Sequence, residues 1–297
     1  MGKGKYGTAG QLALLIAPGL LGYAFMFLYP SAYSLWLSLN EWAGWGKPVY
    51  IGLENFRRVL QDRILGFALA MAVRGVILAL GATLPLAFGL AFMLSRHVRG
   101  SRWFRFVYFL PLVIPGSVLA VMFKQVFTYD GVLNFVLHTL GLDMFALKWL
   151  QDDGIVQWTV LVPDLWASVS FYIILFAAGL EGVSQDLYDA AAIDGAGGLR
   201  QMLHVTVPAM RGVYATAMVM ALPGALEVFI YPFIMTDGGP LHRTTTLPLW
   251  IFKNVAGYGS DAIRYGYGSA IAIVELFLGS LVGILVYWLG RRRLEVG

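Results

Sequence analysis

The sequence predicts an all-α, polytopic membrane protein. Its 297 residues are 59% hydrophobic and only 13% charged, and the mean hydropathy is +0.71. Soluble globular chains usually carry about 25% charged residues. Apolar stretches recur over nearly the whole length, so we expect one membrane domain rather than a soluble domain with an anchor. Lysine and arginine are scattered between these stretches, and they give no sign of a nucleic-acid partner.

Six stretches are long enough to cross a bilayer, since a spanning helix needs about 20 mostly apolar residues. The first of them lies in an uncharged run at 6–40 that is too long for a cleaved signal, so we expect an uncleaved span. Tryptophans and tyrosines near several ends suit the headgroup layer. The predicted transmembrane helices are 12–38, 64–95, 104–127, 156–181, 212–235 and 267–290.

Two basic clusters predict the orientation of the chain. Short loops rich in Lys and Arg face the cytoplasm. An even number of spans then places both termini, with Lys3 and Lys5, and the segment at 182–210 on the cytoplasmic side. We therefore expect a multi-pass protein of the cell membrane. The two clusters are Arg96, His97, Arg99, Arg102 and Arg105 between the second and third spans, and Arg291, Arg292 and Arg293 at the end.

Prolines interrupt several of the spans. Backbone groups that a proline frees in lipid must be satisfied by neighbouring helices or by water, so these spans should pack around a cavity. Simple kinks are the alternative. The prolines are Pro85, Pro111, Pro115, Pro163, Pro223 and Pro232.

A polar segment at 182–210 joins the fourth and fifth spans, and we call it the elbow. Ser184 can cap the start of a helix. Gly195 allows a reversal with positive φ, and from Leu199 onward apolar residues recur at helical spacing until Pro208, where we expect the second helix to end. The segment thus predicts two short helices hinged at Gly195. An ordinary cytoplasmic loop is the alternative.

The elbow resembles the cytoplasmic Glu-Ala-Ala-x-x-Asp-Gly-Ala loop of type I ATP-binding-cassette (ABC) importer permeases. Asp189 replaces the usual Glu, and Met202, Val205 and Val207 replace the usual Phe, Ile and Leu. Only Asp189, shorter by one methylene, could alter a specific contact. The resemblance implies that the elbow couples the chain to an ATPase subunit through Asp189, Ala190, Ala191, Asp194, Gly195, Ala196, Met202 and Pro208.

The rest of the chain is similar to the carbohydrate-uptake branch of that family, over about residues 12–293. The resemblance implies an N-terminal segment with the first span and an external loop at 1–63, an ABC transmembrane type-1 domain at 64–290 and a basic tail at 291–297. The similar motifs are Tyr29-Pro30 with Trp36 and Ser38, Ile51-Gly-Leu-Glu-Asn-Phe56, Phe109-Leu-Pro111, Met235-Thr-Asp-Gly-Gly-Pro240 and Thr244-Thr-Thr-Leu247.

The resemblance implies several partners. Members of that family form a pair of permease subunits, identical or paralogous, bind two ATP-binding subunits and receive substrate from an extracytoplasmic binding protein. The sequence has no Gly-x-x-x-x-Gly-Lys-Ser/Thr phosphate-binding loop. We therefore expect ATP and Mg²⁺ to bind the partner ATPase subunits, and no cofactor to bind this chain.

Enzymatic chemistry has little support in the sequence. The chain has no cysteine and no Gly-x-Ser-x-Gly motif. Its four histidines are dispersed, and none forms a metal-binding pair at helical spacing. We expect no catalytic residue, no metal site and a membrane subunit that is not an enzyme. The histidines are His97, His138, His204 and His242.

Ionisable residues inside the spans point to function, because burying them in lipid is costly. Glu227 is favoured, since the family commonly places a polar residue there that faces the translocation path. Asp164 could instead lie at the outer interface, and Arg74 could pair with an acid. The four residues that we identify are Arg74, Asp164, Glu227 and Glu275.

Three residues of the fourth span complete the predicted path. Trp166, Ser168 and Phe171 fall where the carbohydrate branch has cavity-lining residues, with Ser168 replacing a glycine. Aromatic rings offer flat faces to sugar C–H groups, while Ser168 and Glu227 supply polar contacts. Simple helix packing by Trp166 and Phe171 is the alternative.

These patterns predict the permease subunit of an ABC importer for a sugar or oligosaccharide. A glycerol-phosphate or polyol importer is the alternative within the class, although a phosphate would favour a cationic cavity and we identify only Arg74 as a base within a span. A secondary transporter or channel that acts alone, and a membrane scaffold without cargo, are alternatives from other classes.

Overall fold

The computed structural model of the protein describes residues 9–95, 101–258 and 262–294. These residues form mainly helices, with one two-stranded antiparallel sheet. The elements in chain order are α1 (Ala9–Tyr23), α2 (Tyr29–Ser38), β1 (Asn40–Glu41), β2 (Val49–Tyr50), α3 (Glu54–Gln61), α4 (Arg63–Leu78), α5 (Leu84–Ser95), α6 (Ser101–Val113), α7 (Gly116–Phe127), α8 (Val132–Thr139), α9 (Val156–Thr159), α10 (Val162–Glu181), α11 (Gln185–Ile193), α12 (Gly198–Gln201), α13 (Val207–Ala209), α14 (Arg211–Leu226), α15 (Ile230–Thr236), α16 (Leu247–Ala256) and α17 (Tyr265–Leu294).

The predicted fold class is confirmed. Five helical runs of the described residues are long and apolar enough to cross a membrane, and a bent pair of helices makes a sixth. The runs are Ala13–Ser38, Arg63–Ser95, Val156–Glu181, Arg211–Thr236 and Tyr265–Ile284. Lys3, Lys5, Arg96, His97 and Arg99 lie outside the described residues, so the orientation of the termini stays a prediction.

The third predicted span, 104–127, is not one straight helix. Phe106–Val113 and Gly116–Thr139 meet at an angle of 111°. Pro115 has no N–H to donate, and it disfavours helical geometry at Ile114, so the helix stops and restarts there. Proline alone does not decide this, because Pro111 stays within α6.

The chain packs as two compact units, of which the first comprises residues 1–61 and 251–274. Buried Asn55 organises it by donating to the carbonyl oxygens of Ser38 at 3.0 Å and Asn40 at 2.9 Å. Gly266 approaches the same turn so closely that a Cβ would lie 1.9 Å from the carbonyl oxygen of Asn40. This position therefore accepts only glycine.

The second unit comprises residues 62–250 and 275–297. Its largest core lies where α5 packs on α10, and three aromatic rings meet there. The Phe88 centroid lies 5.5 Å from that of Phe176 and 5.0 Å from that of Tyr214, distances typical of stable aromatic pairs. A π turn at Ala79–Thr83 precedes α5. A second core gathers around Met71, with residues of α7, α9 and α15.

The segment that follows α7 is held by polar side chains. The amide of buried Asn134 donates to the carbonyl oxygens of Tyr129 and Leu147, both at 2.9 Å, and accepts from Trp149 Nε1 at 2.8 Å. His138 hydrogen-bonds the Asp143 carboxylate, which lowers the pKa of Asp143. These bonds give an irregular, exposed stretch a defined conformation.

Candidate functional site: an elbow and a cavity

The first limb of the elbow is α11. Ser184 caps it by accepting a hydrogen bond from the backbone N–H of Asp186 at 3.3 Å, as predicted. Asp189 is exposed in the second turn and accepts from Gln185 Nε2 at 3.0 Å. Ala190, on the same limb, is exposed.

Gly195 reverses the chain at the end of α11. Its φ is +76°. The N–H of Ala196 donates to the carbonyl of Ala191 at 2.9 Å, and the N–H of Gly195 donates to the carbonyl of Ala192 at 3.0 Å. This pair of bonds is the Schellman helix end, which needs a left-handed residue and favours glycine. No heavy atom lies within 4 Å of a Cβ built at Gly195, so a side chain there would meet strain rather than a clash. The predicted hinge is confirmed.

The second limb does not end at Pro208. It runs from α12 through a π turn at Met202–Thr206 into α13, which continues to Ala209. The N–H of Val207 donates to the carbonyl of Met202, five residues back, and this widened turn leads the helix into a proline that cannot donate. Pro208 therefore sits inside the last helical turn of the limb.

Buried polar groups lock the two limbs together. Thr206 Oγ1 donates to the carbonyl of Gln201 at 3.3 Å and accepts from the Tyr188 hydroxyl at 3.0 Å. Gln201 Nε2 donates to the carbonyl of Tyr188 at 3.4 Å. Gln201 and Thr206 are buried. We call these three residues the elbow lock; sequence reasoning missed it, although polar residues at inward positions of a short helix could have indicated it.

The elbow exposes large apolar side chains among charged ones, although the segment lies outside the spanning helices. Four large apolar side chains are at least half exposed, and exposed apolar groups outside the spans are available to a protein partner. Met202, in contrast, packs against the core where α5 meets α10. The exposed fractions are 50% for Leu187, 87% for Ile193, 69% for Leu199 and 50% for Leu203.

The elbow connects α10 and α14, which are two of the helices that line a cavity in the second unit. We call this space the Asp164 cavity. Its volume is about 150 Å³, and its walls come from α4 with the following π turn, from α10 and from α14. The lining residues are Gly75, Leu78, Ala79, Thr83, Leu161, Asp164, Leu165, Ser168, Tyr172, Ala221, Gly224 and Ala225.

Of the predicted path residues, Ser168 lines this cavity, and Trp166, Phe171 and Glu227 are not among its lining residues. Trp166 packs on Phe123, with ring centroids 5.7 Å apart. Phe171 is 40% exposed and meets Tyr172 edge to face. The separation has a simple cause, because two residues along a helix turn the side chain by about 200° and so place Trp166 opposite Ser168.

Glu227 lies at a break in the fifth span. The helix α14 ends at Leu226 and α15 begins at Ile230, and Glu227 is exposed between them. Glu275 belongs to the same unit, and its Oε1 is buried without a hydrogen-bond partner among the described residues. Unwound stretches within spans are typical of transporter binding sites. The geometry thus suits a polar contact at Glu227.

The basic residues Arg74 and Lys124 lie within spans of this unit and bond to backbone carbonyls. Arg74 Nη1 donates to the carbonyl of Ala70 at 2.9 Å, and its guanidinium lies 5.8 Å from the Trp158 ring centroid. Among the described residues it pairs with no acid. Lys124, which sequence reasoning overlooked within 104–127, donates to the carbonyl of Ile234 at 3.0 Å. Neither lines the Asp164 cavity.

Residues 81–295 match the family described as the binding-protein-dependent transport system inner membrane component. The chain belongs to this family. The permease is 33% identical, over 271 residues, to the probable ABC transporter permease protein YurN of Bacillus subtilis, with 89% of this chain and 90% of the relative covered. It is 32% identical to the diacetylchitobiose uptake system permease protein NgcF of Streptomyces coelicolor, with 94% and 82% covered.

The fold of the permease is also that of a solved importer. It matches a chain of a bacterial ABC transporter involved in the import of the acidic polysaccharide alginate, with a TM-score of 0.79 and 95% of each chain covered. The identity of 21% makes this a likeness of fold.

Proposed function

We propose that the permease forms the path of an ABC importer for a sugar or oligosaccharide. Its family and its likeness to a diacetylchitobiose permease support the cargo class. One observation carries the proposal. The elbow joins α10 and α14, two of the helices that line the Asp164 cavity, so a force on its exposed apolar side chains reaches two walls of that cavity.

Three kinds of partner complete the proposed assembly. A second permease, identical or paralogous, completes the path, and an extracytoplasmic binding protein delivers the sugar. Two ATP-binding subunits hold ATP and Mg²⁺ and dock on the elbow through the coupling residues. These include Asp189, Ala190, Asp194 and Met202. Both termini of the permease are then cytoplasmic.

Coupling follows from the rigidity of the elbow. When the ATPase subunits close, their movement pushes on Leu199 and Ile193, and the elbow lock keeps the two limbs from deforming. The helices α10 and α14 then tilt as rigid bodies, which exposes the cavity to alternate sides of the membrane. The movement requires contacts that differ between the two states of the ATPase pair.

Sugar contacts are assigned to the second unit. Trp166 and Phe171 offer aromatic faces, whereas Ser168 and Glu227 offer polar groups. Trp166 and Ser168 lie on opposite sides of α10. The sugar therefore contacts them at different stages of transport. Phe171 and Glu227 are exposed, so they are available to a passing ligand.

Single-cysteine labelling tests this proposal, because the chain has no cysteine of its own. Ile193→Cys and Met144→Cys form a matched pair, since both side chains are at least 80% exposed. In intact cells an impermeant maleimide should label the Met144→Cys variant but reach Ile193→Cys only after permeabilisation. A cross-linker should join the Ile193→Cys variant to an ATPase subunit. Labelling of position 193 from outside intact cells would refute the proposal.

A further inference from the structure

The Asp164 cavity contains a carboxylate that lacks a partner. Asp164 is set deep among protein atoms, with a small accessible part, and it lines the cavity. Among the described residues it makes no hydrogen bond or ion pair. A buried carboxylate without a donor is costly, so such groups are usually paired or functional. A group that enters the cavity would supply the missing donor.

Burial disfavours the charged form of Asp164, but the position of Asp164 on its helix favours that form. It lies in the first turn of α10, where the helix dipole stabilises a negative charge. Ser168 and Tyr172 follow at intervals of four residues, so all three side chains share one face of α10. Thr83 adds a hydroxyl from the opposite wall.

The cavity has room for one six-membered ring. Its volume is about 150 Å³. A cavity of about 150 Å³ in another protein holds a six-membered benzene ring. One carboxylate and several hydroxyls around such a space can accept hydrogen bonds from adjacent ring hydroxyls, or from an ammonium group. A carboxylate, sulfonate or phosphate on the cargo offers no proton at neutral pH and would meet Asp164 as a like charge.

No basic side chain compensates for this charge within the described lining. Arg74 Nη1 and Lys124 Nζ donate to backbone carbonyls, and neither residue is among those that line the cavity, although Arg74 Nε is buried without a hydrogen-bond partner among the described residues. An anionic cargo would therefore be repelled by Asp164 and would meet no cationic side chain among the described lining residues.

We propose that Asp164 selects the charge of the cargo: the permease accepts neutral or positively charged sugars and rejects sugars that carry an acid on the ring bound beside Asp164. This inference rests on the proposed function. Specificity of this kind comes from a repulsive element as much as from attraction. The proposed charge selection distinguishes this permease from importers of acidic saccharides. It also argues against a glycerol-phosphate cargo.

Three disaccharides with one skeleton test the inference: chitobiose, which carries amines, cellobiose, which is neutral, and cellobiouronic acid. Their equilibrium binding to the complete permease–ATPase complex in nanodiscs should be measured without binding protein. We expect cellobiouronic acid to bind at least about tenfold more weakly than cellobiose, as like-charge rejection requires. Asp164→Asn should reduce this gap, the difference in affinity between cellobiose and cellobiouronic acid, to about threefold or less. Asp164→Glu should leave the difference unchanged.

Asp130→Asn is the matched control, because it removes one carboxylate from an exposed turn and should leave the gap unchanged. Equal or tighter binding of cellobiouronic acid by the unaltered complex, or an unchanged gap in Asp164→Asn, would overturn the inference. Its failure is distinguishable from failure of the proposed function. ATP-dependent uptake of an acidic sugar would refute only the charge selection. Uptake of sugar without ATPase subunits would refute the proposed function.

Discussion

The elbow and the Asp164 cavity handle polar and apolar groups in opposite ways. In the elbow, buried polar groups bond to each other, as Tyr188, Thr206 and Gln201 do, while large apolar side chains stay exposed. In the cavity, Asp164 lies deep among protein atoms, and the described residues give it no hydrogen bond or ion pair. A surface with satisfied polar groups and free apolar ones suits a protein partner, and a cavity with an unsatisfied carboxylate suits a small hydrogen-bonding ligand.

Glycines also serve the two regions differently. Gly75 lies at the cavity, where a Cβ would come within 2.8 Å of the backbone oxygen of Ala225. Gly195 has open space around it but a φ of +76°. The first glycine is required for close packing and the second for conformation, so substitutions at the two sites should fail for different reasons.

The largest effect is expected at Gly75. Gly75→Ala should destabilise the bundle by about 1–3 kcal/mol, because the added methyl must push α4 away from the backbone of α14. Thermal unfolding in detergent should show a clear fall in Tm. Gly81→Ala is the control, since nothing lies within 4 Å of that position, and its Tm should stay level or rise. Equal Tm values for the two variants would show that the cavity wall is loosely packed.

A large functional effect is expected at Glu227. Glu227→Ala should lower ATP-dependent sugar uptake by about tenfold or more, since an intramembrane acid at a helix break is placed to bind cargo. Its exposure predicts that assembly with the ATPase subunits persists. Asp130→Ala, an exposed acid in a turn, should transport normally. Unchanged uptake kinetics in Glu227→Ala would remove this residue from the path.

A smaller effect is expected in the elbow lock. Tyr188→Phe removes the donor to Thr206, a net loss of about 1 kcal/mol, which should loosen the limbs without unfolding the chain. The ATP hydrolysed per sugar transported should rise a few-fold. Tyr129→Phe, which removes a half-exposed hydroxyl elsewhere, should not change this ratio. An unchanged ratio in Tyr188→Phe would mean that the elbow needs no internal lock.

Much of the fold follows from the sequence, because apolar length and local turn chemistry are short-range properties. The predicted spans 64–95 and 156–181 agree with Arg63–Ser95 and Val156–Glu181 within one residue. The hinge at Gly195 was predictable because few residues other than glycine accept its φ. The bend at Pro115 was not, since Pro111 stays helical and the difference depends on packing with other helices.

The candidate site was only partly predictable. The helical spacing of Asp164, Ser168 and Tyr172 places them on one face, so the sequence contained this wall of the cavity. Resemblance favoured Trp166 instead, which packs on Phe123 at the opposite side of α10. The elbow lock joins residues 18 positions apart and therefore depends on a tertiary contact that periodicity does not specify.

The most direct test compares Gly195→Val with Gly197→Val in the complete importer, by measuring sugar uptake and ATP hydrolysis together. Valine is disfavoured at the left-handed Gly195 by about 1–3 kcal/mol, whereas Gly197 has a φ of −69° that valine accepts. We predict that Gly195→Val inserts in the membrane but loses sugar-linked ATP hydrolysis and uptake, while Gly197→Val retains both. Normal coupled uptake by Gly195→Val would contradict the claim that the hinged elbow transmits movement from the ATPase subunits.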